Sequence, residues 1–258
     1  MISNREKAIN RARKLLELSK SANEHEAAQA AARAAEIMLE HQLAEAELDQ
    51  DIGEPEPITE ECVGQDGKRV AWRLNIIHGL AKSLGCESWF QPGDVCRYYV
   101  VGPKSAIDSI RYLSKALQYE VNRLADKCYG DEARECKASG VEPPSARAWK
   151  GSFRVGCSTA IYRRLVAQRD KTLSNYKTPA RGEYSDPNRA TALAVVNAQA
   201  LAAADWLERN RPGLRASRSS AGQSSRSGYQ AGQAAGRTVN LGGNKSLGRG
   251  TTQLKGSG

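Results

Sequence analysis

The last fifty residues of the chain contain no carboxylate, and this limits what the segment can fold into. No Asp or Glu follows Glu208, whereas 9 of the 38 Lys and Arg residues lie beyond it. Gly and Ser are frequent in this segment, and Tyr229 is its one aromatic residue. Such a composition buries too little apolar surface to offset the entropy of ordering the chain. We therefore predict that residues 209–258 form a mostly disordered basic tail, whose removal changes folding little.

The remaining charges are also unevenly distributed along the chain. Residues 1–61 hold 14 acids and 7 bases, whereas residues 62–208 hold 15 acids and 22 bases. The net charge of +9 therefore accumulates toward the C-terminal end. This asymmetry is typical of a protein that touches a polyanion with one end. The alternative is an exposed charged face followed by a flexible tail.

The composition argues against a membrane or secreted protein. No apolar run approaches the roughly 18 residues that a membrane span needs, and the N-terminus lacks an apolar signal core. The six cysteines are scattered without a Cys-x-x-Cys pair. We expect a cytoplasmic protein with no membrane partner, whose cysteines are reduced thiols that mostly fill the core.

Residues 1–50 are predicted to form an Ala-rich helical hairpin. Residues 5–20 have helical spacing, and a second helix begins at Asn23, where Glu26 completes a capping arrangement. An acidic linker rich in Pro and Gly, residues 51–57, separates this unit from the rest of the chain.

This N-terminal segment resembles a small helical domain catalogued as domain of unknown function 2786. The resemblance rests on Ser21-Ala-Asn-Glu-His-Glu-Ala-Ala28, Glu36-Ile-Met-Leu39 and Ala44-Glu-Ala-Glu-Leu48. The domain recurs in phage and prophage proteins and in some bacteria, so the resemblance implies a phage or mobile-element accessory protein in the bacterial cytoplasm. It implies no reaction and no catalytic residue. Residues 58–170 resemble the uncharacterised α/β region that often follows this domain.

Residues 58–208 are predicted to form an α+β domain, a small antiparallel sheet with helices on one face. The hydrophobic periodicity predicts a strand at 58–63, a helix at 70–84, a hairpin with strands at 86–90 and 95–101, a helix at 105–126, a loop at 129–146, and helices at 147–174 and 190–208.

No catalytic or metal-binding constellation is recognisable. His25 and His41 lie 16 residues apart, too far along a helix to share one metal, and His78 has Lys82 at i+4. Cys157 lies in a helical pattern, where a buried thiol is a simpler interpretation than a nucleophile. We therefore predict no cofactor, no metal and no enzymatic activity.

One strand-to-helix turn has weak features of a phosphate site. Lys104 and Ser105 follow Gly102-Pro103 at the predicted start of a helix, where free amides can bind an anion. The spaced glycines of a Walker loop are missing, and Pro103 at the first helical position explains the turn structurally.

The helix at 147–174 is basic and amphipathic, and it contains Trp149, Phe153 and Tyr162. Exposed aromatic rings beside Arg and Lys side chains would favour nucleic-acid binding. If the rings instead pack inward, the basic side chains are only a solvated outer face of the helix. The candidate contacts on this helix are Arg147, Lys150, Arg154, Arg163, Arg164, Arg169 and Lys171.

The lead prediction is non-specific binding of nucleic acid through this helix and the basic tail. The candidate contacts in the tail are Arg211, Arg215, Arg218, Arg226, Arg237, Lys245 and Arg249. The alternative is a module that binds a host or phage protein, with the tail as a tether. Gly228, Gly232 and Gly236 recur every four residues, so a helix here would offer close backbone contact, although glycines disfavour a free helix. The oligomeric state is left open.

Overall fold

A computed structural model describes residues 56–177, 187–216 and 224–239 of the chain. Five helices and three strands lie in these ranges, so the described part is α+β. Their bounds are β1 Ile58–Asp66, α1 Ala71–Ser83, β2 Glu87–Gln91, β3 Cys96–Pro103, α2 Lys104–Ala138, α3 Ala146–Lys177, α4 Pro187–Asn210 and α5 Arg226–Thr238. The predicted N-terminal hairpin falls outside the described residues.

The three strands form the small antiparallel sheet that the sequence predicts. Strand β3 is central, with β1 and β2 on either side. One face of β3 presents Tyr98 and Val100, both almost completely buried, to the apolar core, where helix α2 contacts this strand. Alternation along the strand sends Val101 to the opposite face.

A helix also covers that opposite face, so the prediction of helices on one face is wrong. Helix α4 contacts all three strands, and Val101 is fully buried. Just after α4, Arg211 donates a hydrogen bond of 2.6 Å to Glu60 and lies over the Trp89 ring. The apolar side chains of β3 alone do not show which helix covers which face, because that depends on contacts between distant segments.

Helix α2 is longer than predicted, because it continues into the first part of the segment expected to be a loop, residues 129–146. It ends at Ala138, and Gly140 follows with a positive φ of 69°, a conformation that favours glycine. The Tyr129 hydroxyl donates to the carbonyl of Pro144 at 3.0 Å, which holds the following turn against the helix. The sequence prediction failed here because residues 127–138 contain few apolar side chains with which to show a periodic face.

Helix α3 packs against both α1 and α2 and lies at the centre of the helical layer. Its Trp149, Phe153 and Ile161 side chains are almost completely buried. The contact with α1 is close at Gly79, where an added Cβ would lie 3.2 Å from the Cα of Tyr162. The predicted helix at 147–174 is thus present as Ala146–Lys177.

Helix α5 lies inside the predicted tail and docks on α3 through a row of glycines. An added Cβ at Gly228 would lie 2.5 Å from the carbonyl oxygen of Trp149, and one at Gly236 would lie 2.5 Å from that of Cys157. Between them, Gly232 faces the carbonyl oxygen of Phe153 even more closely. We call these three glycines, together with Gly156 of α3, the glycine seam.

The prediction of a mostly disordered tail is therefore wrong for residues 226–238. The helix begins after Ser225, whose hydroxyl accepts a hydrogen bond of 3.2 Å from the Gly228 amide. Glycine disfavours a free helix, but the missing side chains let two backbones approach closely. This long-range packing outweighs the local propensity. Because α5 is docked on α3, we expect removal of the whole tail to lower stability, in contrast to the prediction from the sequence.

Candidate nucleic-acid interface

Among the side chains of helix α3 that the structure describes, three basic ones are exposed. Arg147 lies at its start, Arg163 near its middle and Lys171 toward its end. All three belong to the predicted contact set. Their exposure leaves the cationic ends accessible to a phosphate, which is the first requirement for an electrostatic interface.

Two other bases of α3 connect that helix to α2. The Lys150 ammonium lies 2.9 Å from the carboxylate of Asp126 and 5.2 Å from the centre of the Tyr129 ring. The Arg154 Nε donates a hydrogen bond of 2.7 Å to the side-chain oxygen of Asn122. These two predicted contact residues therefore have an internal structural role in the fold.

Arg164 binds the end of helix α5 rather than solvent. Its guanidinium donates to the carbonyl of Gly236 at 3.0 Å and also to the carbonyl of Val239. A cation at this position satisfies carbonyls that lack helical partners and complements the helix dipole. Burial lowers the pKa of Arg164. Arg169 is half-buried as well, and no hydrogen-bond partner of its Nε lies among the described residues.

The aromatic residues of α3 pack inside the protein. Trp149 and Phe153 stack at a centroid distance of 5.4 Å and are 1% and 0% exposed. Tyr162 is half-buried and stacks on the His78 ring at 5.6 Å. The interpretation in which Trp149 and Phe153 stack on bases is therefore wrong, because both rings belong to the core.

In its described part, the acid-free segment beyond Glu208 exposes five arginines, namely Arg209, Arg211, Arg215, Arg226 and Arg237. Of these, Arg211 is bound to Glu60, and this hydrogen bond raises its pKa, whereas Arg209 donates to the backbone carbonyl of Asp205. The remaining predicted contacts of the tail, Arg218, Lys245 and Arg249, fall outside the described residues.

The predicted phosphate position at the start of α2 is taken by a carboxylate of the protein. Glu56 accepts hydrogen bonds from the Ser105 amide at 2.9 Å and from the Ser105 hydroxyl at 2.6 Å. Lys104 lies 2.7 Å from Glu61 and 3.6 Å from Asp108. Because an acidic side chain already occupies this helix terminus, the arrangement disfavours a phosphate there, contrary to the sequence prediction.

Helix α2 carries an exposed aromatic stripe that the sequence prediction missed. Tyr112, Lys115 and Tyr119 follow one another at i, i+3 and i+7, and the two tyrosines are 38% and 69% exposed. We call these three residues the α2 stripe. They alternate with the buried Leu113 and Leu117, so the helical period could have indicated their outward direction.

A polar pocket of about 230 Å³ lies beside the stripe, between β1, α1 and α2. Lys115 and Gln118 line one side, and Asp66 lines the other. The Asp66 carboxylate accepts hydrogen bonds from the Tyr98 hydroxyl at 2.9 Å and from Arg73. The pocket is smaller than the roughly 300–1,000 Å³ of ordinary ligand sites. The Asp66 carboxylate in its lining is already paired with Arg73.

His78 and Cys157 are titratable residues whose pKa values are shifted by burial. His78 shares a 2.9 Å hydrogen bond with the Ser88 hydroxyl, and burial lowers the pKa of this histidine. Burial raises the pKa of the Cys157 thiol to about 12. No group of three or more His, Cys, Asp or Glu side chains that could hold a metal occurs among the residues described. His25 and His41 lie outside those residues.

We predict that Cys157 and Cys86 resist thiol reagents in the folded protein. Burial raises the pKa of both thiols to about 12, so at pH 8 almost none of either is the reactive thiolate. Cys62 is exposed and should react first. Alkylation at pH 8, followed by mass spectrometry of peptides, measures the three rates. Equal rates for Cys157 and Cys62 would contradict the packing of α3.

Within the described residues, no helix is both long enough and apolar enough to cross a membrane.

The comparison with known families matches the N-terminal part of the chain. Residues 7–45 match the family model described as Protein of unknown function (DUF2786), which confirms the resemblance seen in the sequence. Neither a curated protein nor a solved structure matches the chain. The matched residues precede those that the structure describes. The chain is thus similar at its N-terminus to a domain of unknown function, and the basic surfaces lie outside that match.

Proposed function

We propose that the protein binds nucleic acid without strong sequence preference, mainly through phosphate contacts. The observation that supports this most is the segment beyond Glu208, which contains nine bases and no acid. Arg215, Arg226 and Arg237 of this segment are exposed. Each base that neutralises a phosphate releases counterions, which favours binding without any reading of the sequence.

The docking of α5 supports the proposal by joining two basic elements. The three seam glycines of α5 contact residues of α3 that are also spaced four apart, in the same order along the chain. The two helices therefore run parallel. Arg226 and Arg237 are thereby held on the same two-helix unit as Arg147 and Arg163. A rigid pair of basic helices loses less entropy on binding than a free chain would.

The phage or mobile-element setting, and a location in the bacterial cytoplasm, belong to this proposal as implications of the N-terminal resemblance. The nucleic acid is its partner class. The alternative partner is a host or phage protein that binds the N-terminal domain. Apolar docking of that kind depends little on salt, whereas phosphate binding weakens steeply as salt increases.

Fluorescence anisotropy tests the proposal directly. Labelled single-stranded and double-stranded DNA and RNA of unrelated sequences are titrated with the full chain at low and at physiological salt. The protein is first freed of copurifying nucleic acid, as judged from its absorbance ratio. We expect binding to several sequences at low salt and a marked loss at physiological salt. Absence of binding at low salt to every probe would refute the proposal.

A further inference from the structure

We infer that the α2 stripe is a stacking surface for the unpaired bases of a single strand. This inference rests on the proposed function and narrows it to the kind of nucleic acid that is bound. Binding to single strands commonly combines a basic groove along the backbone with aromatic rings on which bases stack. The basic residues are those of α3 and α5, and the rings are those of Tyr112 and Tyr119.

The exposure of the two rings is the first support. Tyr119 is 69% exposed and Tyr112 is 38% exposed, whereas Tyr98, Trp149 and Phe153 are almost completely buried. The ring of an exposed tyrosine offers a π-face to a base of any sequence, so the contact does not depend on which base is present. This agrees with binding that has little sequence preference.

The charges around the stripe favour an anionic strand. The nearby carboxylates are paired, since Asp108 contacts Arg111 at 2.6 Å and Asp126 contacts Lys150 at 2.9 Å. Lys115 lies between the two tyrosines and is exposed, with no carboxylate partner in the part of the chain that the structure describes. The stripe therefore presents one unpaired cation, Lys115, between two tyrosine rings. In a stacked strand the cation can contact a phosphate while the rings contact the nucleobases.

The stripe also leads directly to the basic helix. Asn122 and Asp126 follow Tyr119 by one and two helical turns on the same side of α2. Asn122 receives the hydrogen bond from Arg154, and Asp126 pairs with Lys150. A strand lying along the stripe therefore reaches α3, where Arg147 is exposed one turn before Lys150.

The spacing of the rings suits a short stretch of strand. Seven residues of α-helix separate the two tyrosines by about 10 Å along the axis. Successive nucleotides of one stacked strand advance about 3.4 Å along the strand axis, so this distance corresponds to about three nucleotides. Tyr112 and Tyr119 can thus contact two bases of one strand while Lys115 meets a phosphate between them. A duplex keeps its bases paired and cannot use the rings in this way.

The test compares two double variants of the full chain. Tyr112→Leu with Tyr119→Leu removes both rings, and Tyr112→Phe with Tyr119→Phe keeps them as the matched control. Both positions are exposed, so neither change disturbs the core, and thermal unfolding verifies this. Anisotropy is measured with a single strand, with a strand of the same length that contains abasic sites, and with a duplex.

We expect the leucine variant to bind the single strand about tenfold or more weakly than wild type, since each stacked ring contributes a substantial share of the affinity. Its affinity for the abasic strand and for the duplex should be unchanged, as should the salt slope. The phenylalanine variant should match wild type on all probes.

Wild-type affinity of the leucine variant for the single strand would overturn the inference, and so would an equal loss on the duplex. Either result leaves the proposed function standing if wild type still binds with steep salt dependence. A wild-type protein that binds no probe at low salt overturns both.

Discussion

Replacing Gly232 with Ala is expected to lower the free energy of unfolding by about 2 kcal/mol or more, because the new methyl group has no room. Its Cβ would overlap the backbone carbonyl of Phe153, and the neighbouring Gly228 and Gly236 fit against α3 just as closely. A backbone cannot rotate away as a flexible side chain can, so α5 must move off α3. Chemical denaturation monitored by circular dichroism measures the change.

Gly151→Ala is the matched control for this prediction. Gly151 lies inside α3, and an added Cβ there meets nothing within 4 Å. The same substitution should therefore raise stability by up to about 1 kcal/mol, since alanine favours helix more than glycine does. A loss of stability with Gly232→Ala together with a gain with Gly151→Ala would establish that α5 docks on α3 through the glycine seam. Equal stabilisation by Gly232→Ala would show that α5 does not dock on α3.

Removing residues 224–258 is expected to destabilise the protein on the order of 3 kcal/mol, because the truncation uncovers buried side chains. Trp149, Phe153 and Cys157 are at most 1% exposed and form part of the surface of α3 on which α5 lies. The truncation also leaves Arg164 without the carbonyls of Gly236 and Val239. The unfolding temperatures of the truncated and full-length chains measure this loss of stability.

Removing residues 240–258 alone provides the comparison. That shorter deletion takes away Lys245, Arg249 and Lys255 but keeps every described contact of α5. We expect its unfolding temperature to stay close to that of the full chain, with weaker binding of nucleic acid. If the longer deletion were also without effect on stability, α5 would contribute nothing to the core.

The sheet and the positions of most helices could be predicted from the sequence because their signals are local. Leu113, Leu117 and Val121 follow the helical period along α2, and all three are buried. The hairpin of β2 and β3 is marked by its Gln91-Pro-Gly-Asp94 turn between apolar runs. Such patterns depend on neighbours within one or two turns, so a sequence alone displays them.

The docking of α5 could not be predicted from its own residues. The spacing of Gly228, Gly232 and Gly236 indicates a surface for close contact, but its partner is Gly156 and its neighbours more than 70 residues away. Local propensity also opposes a helix there. Only the tertiary contact with α3 decides between a free arm and a docked helix.

Only part of the candidate interface could be predicted from the sequence, because the rest depends on contacts between distant segments. Basic residues are recognisable by type, but Lys150 and Arg154 are bound by Asp126 and Asn122 of another helix. The inward packing of Trp149 was one of two interpretations that the spacing allowed. By contrast, the outward direction of Tyr119 follows from the helical period of α2, and the sequence contained that signal.

The salt dependence of nucleic-acid affinity tests the central claim most directly. Wild type is compared with the triple variant Arg215→Gln, Arg226→Gln and Arg237→Gln, whose positions are all exposed in the acid-free segment. A control variant makes the same charge change at three exposed bases elsewhere, Lys68, Arg97 and Lys137. Anisotropy titrations over a range of salt concentrations give the slope of log affinity against log salt for each protein.

We predict a steep negative slope for wild type and for the control variant. The triple variant should show a slope that is shallower by about 0.7–0.9 for each phosphate that the protein no longer neutralises, roughly 2 to 3 in all. A wild-type slope near zero, or a control variant that flattens the slope as much as the triple variant, would contradict the claim that the acid-free segment binds nucleic acid.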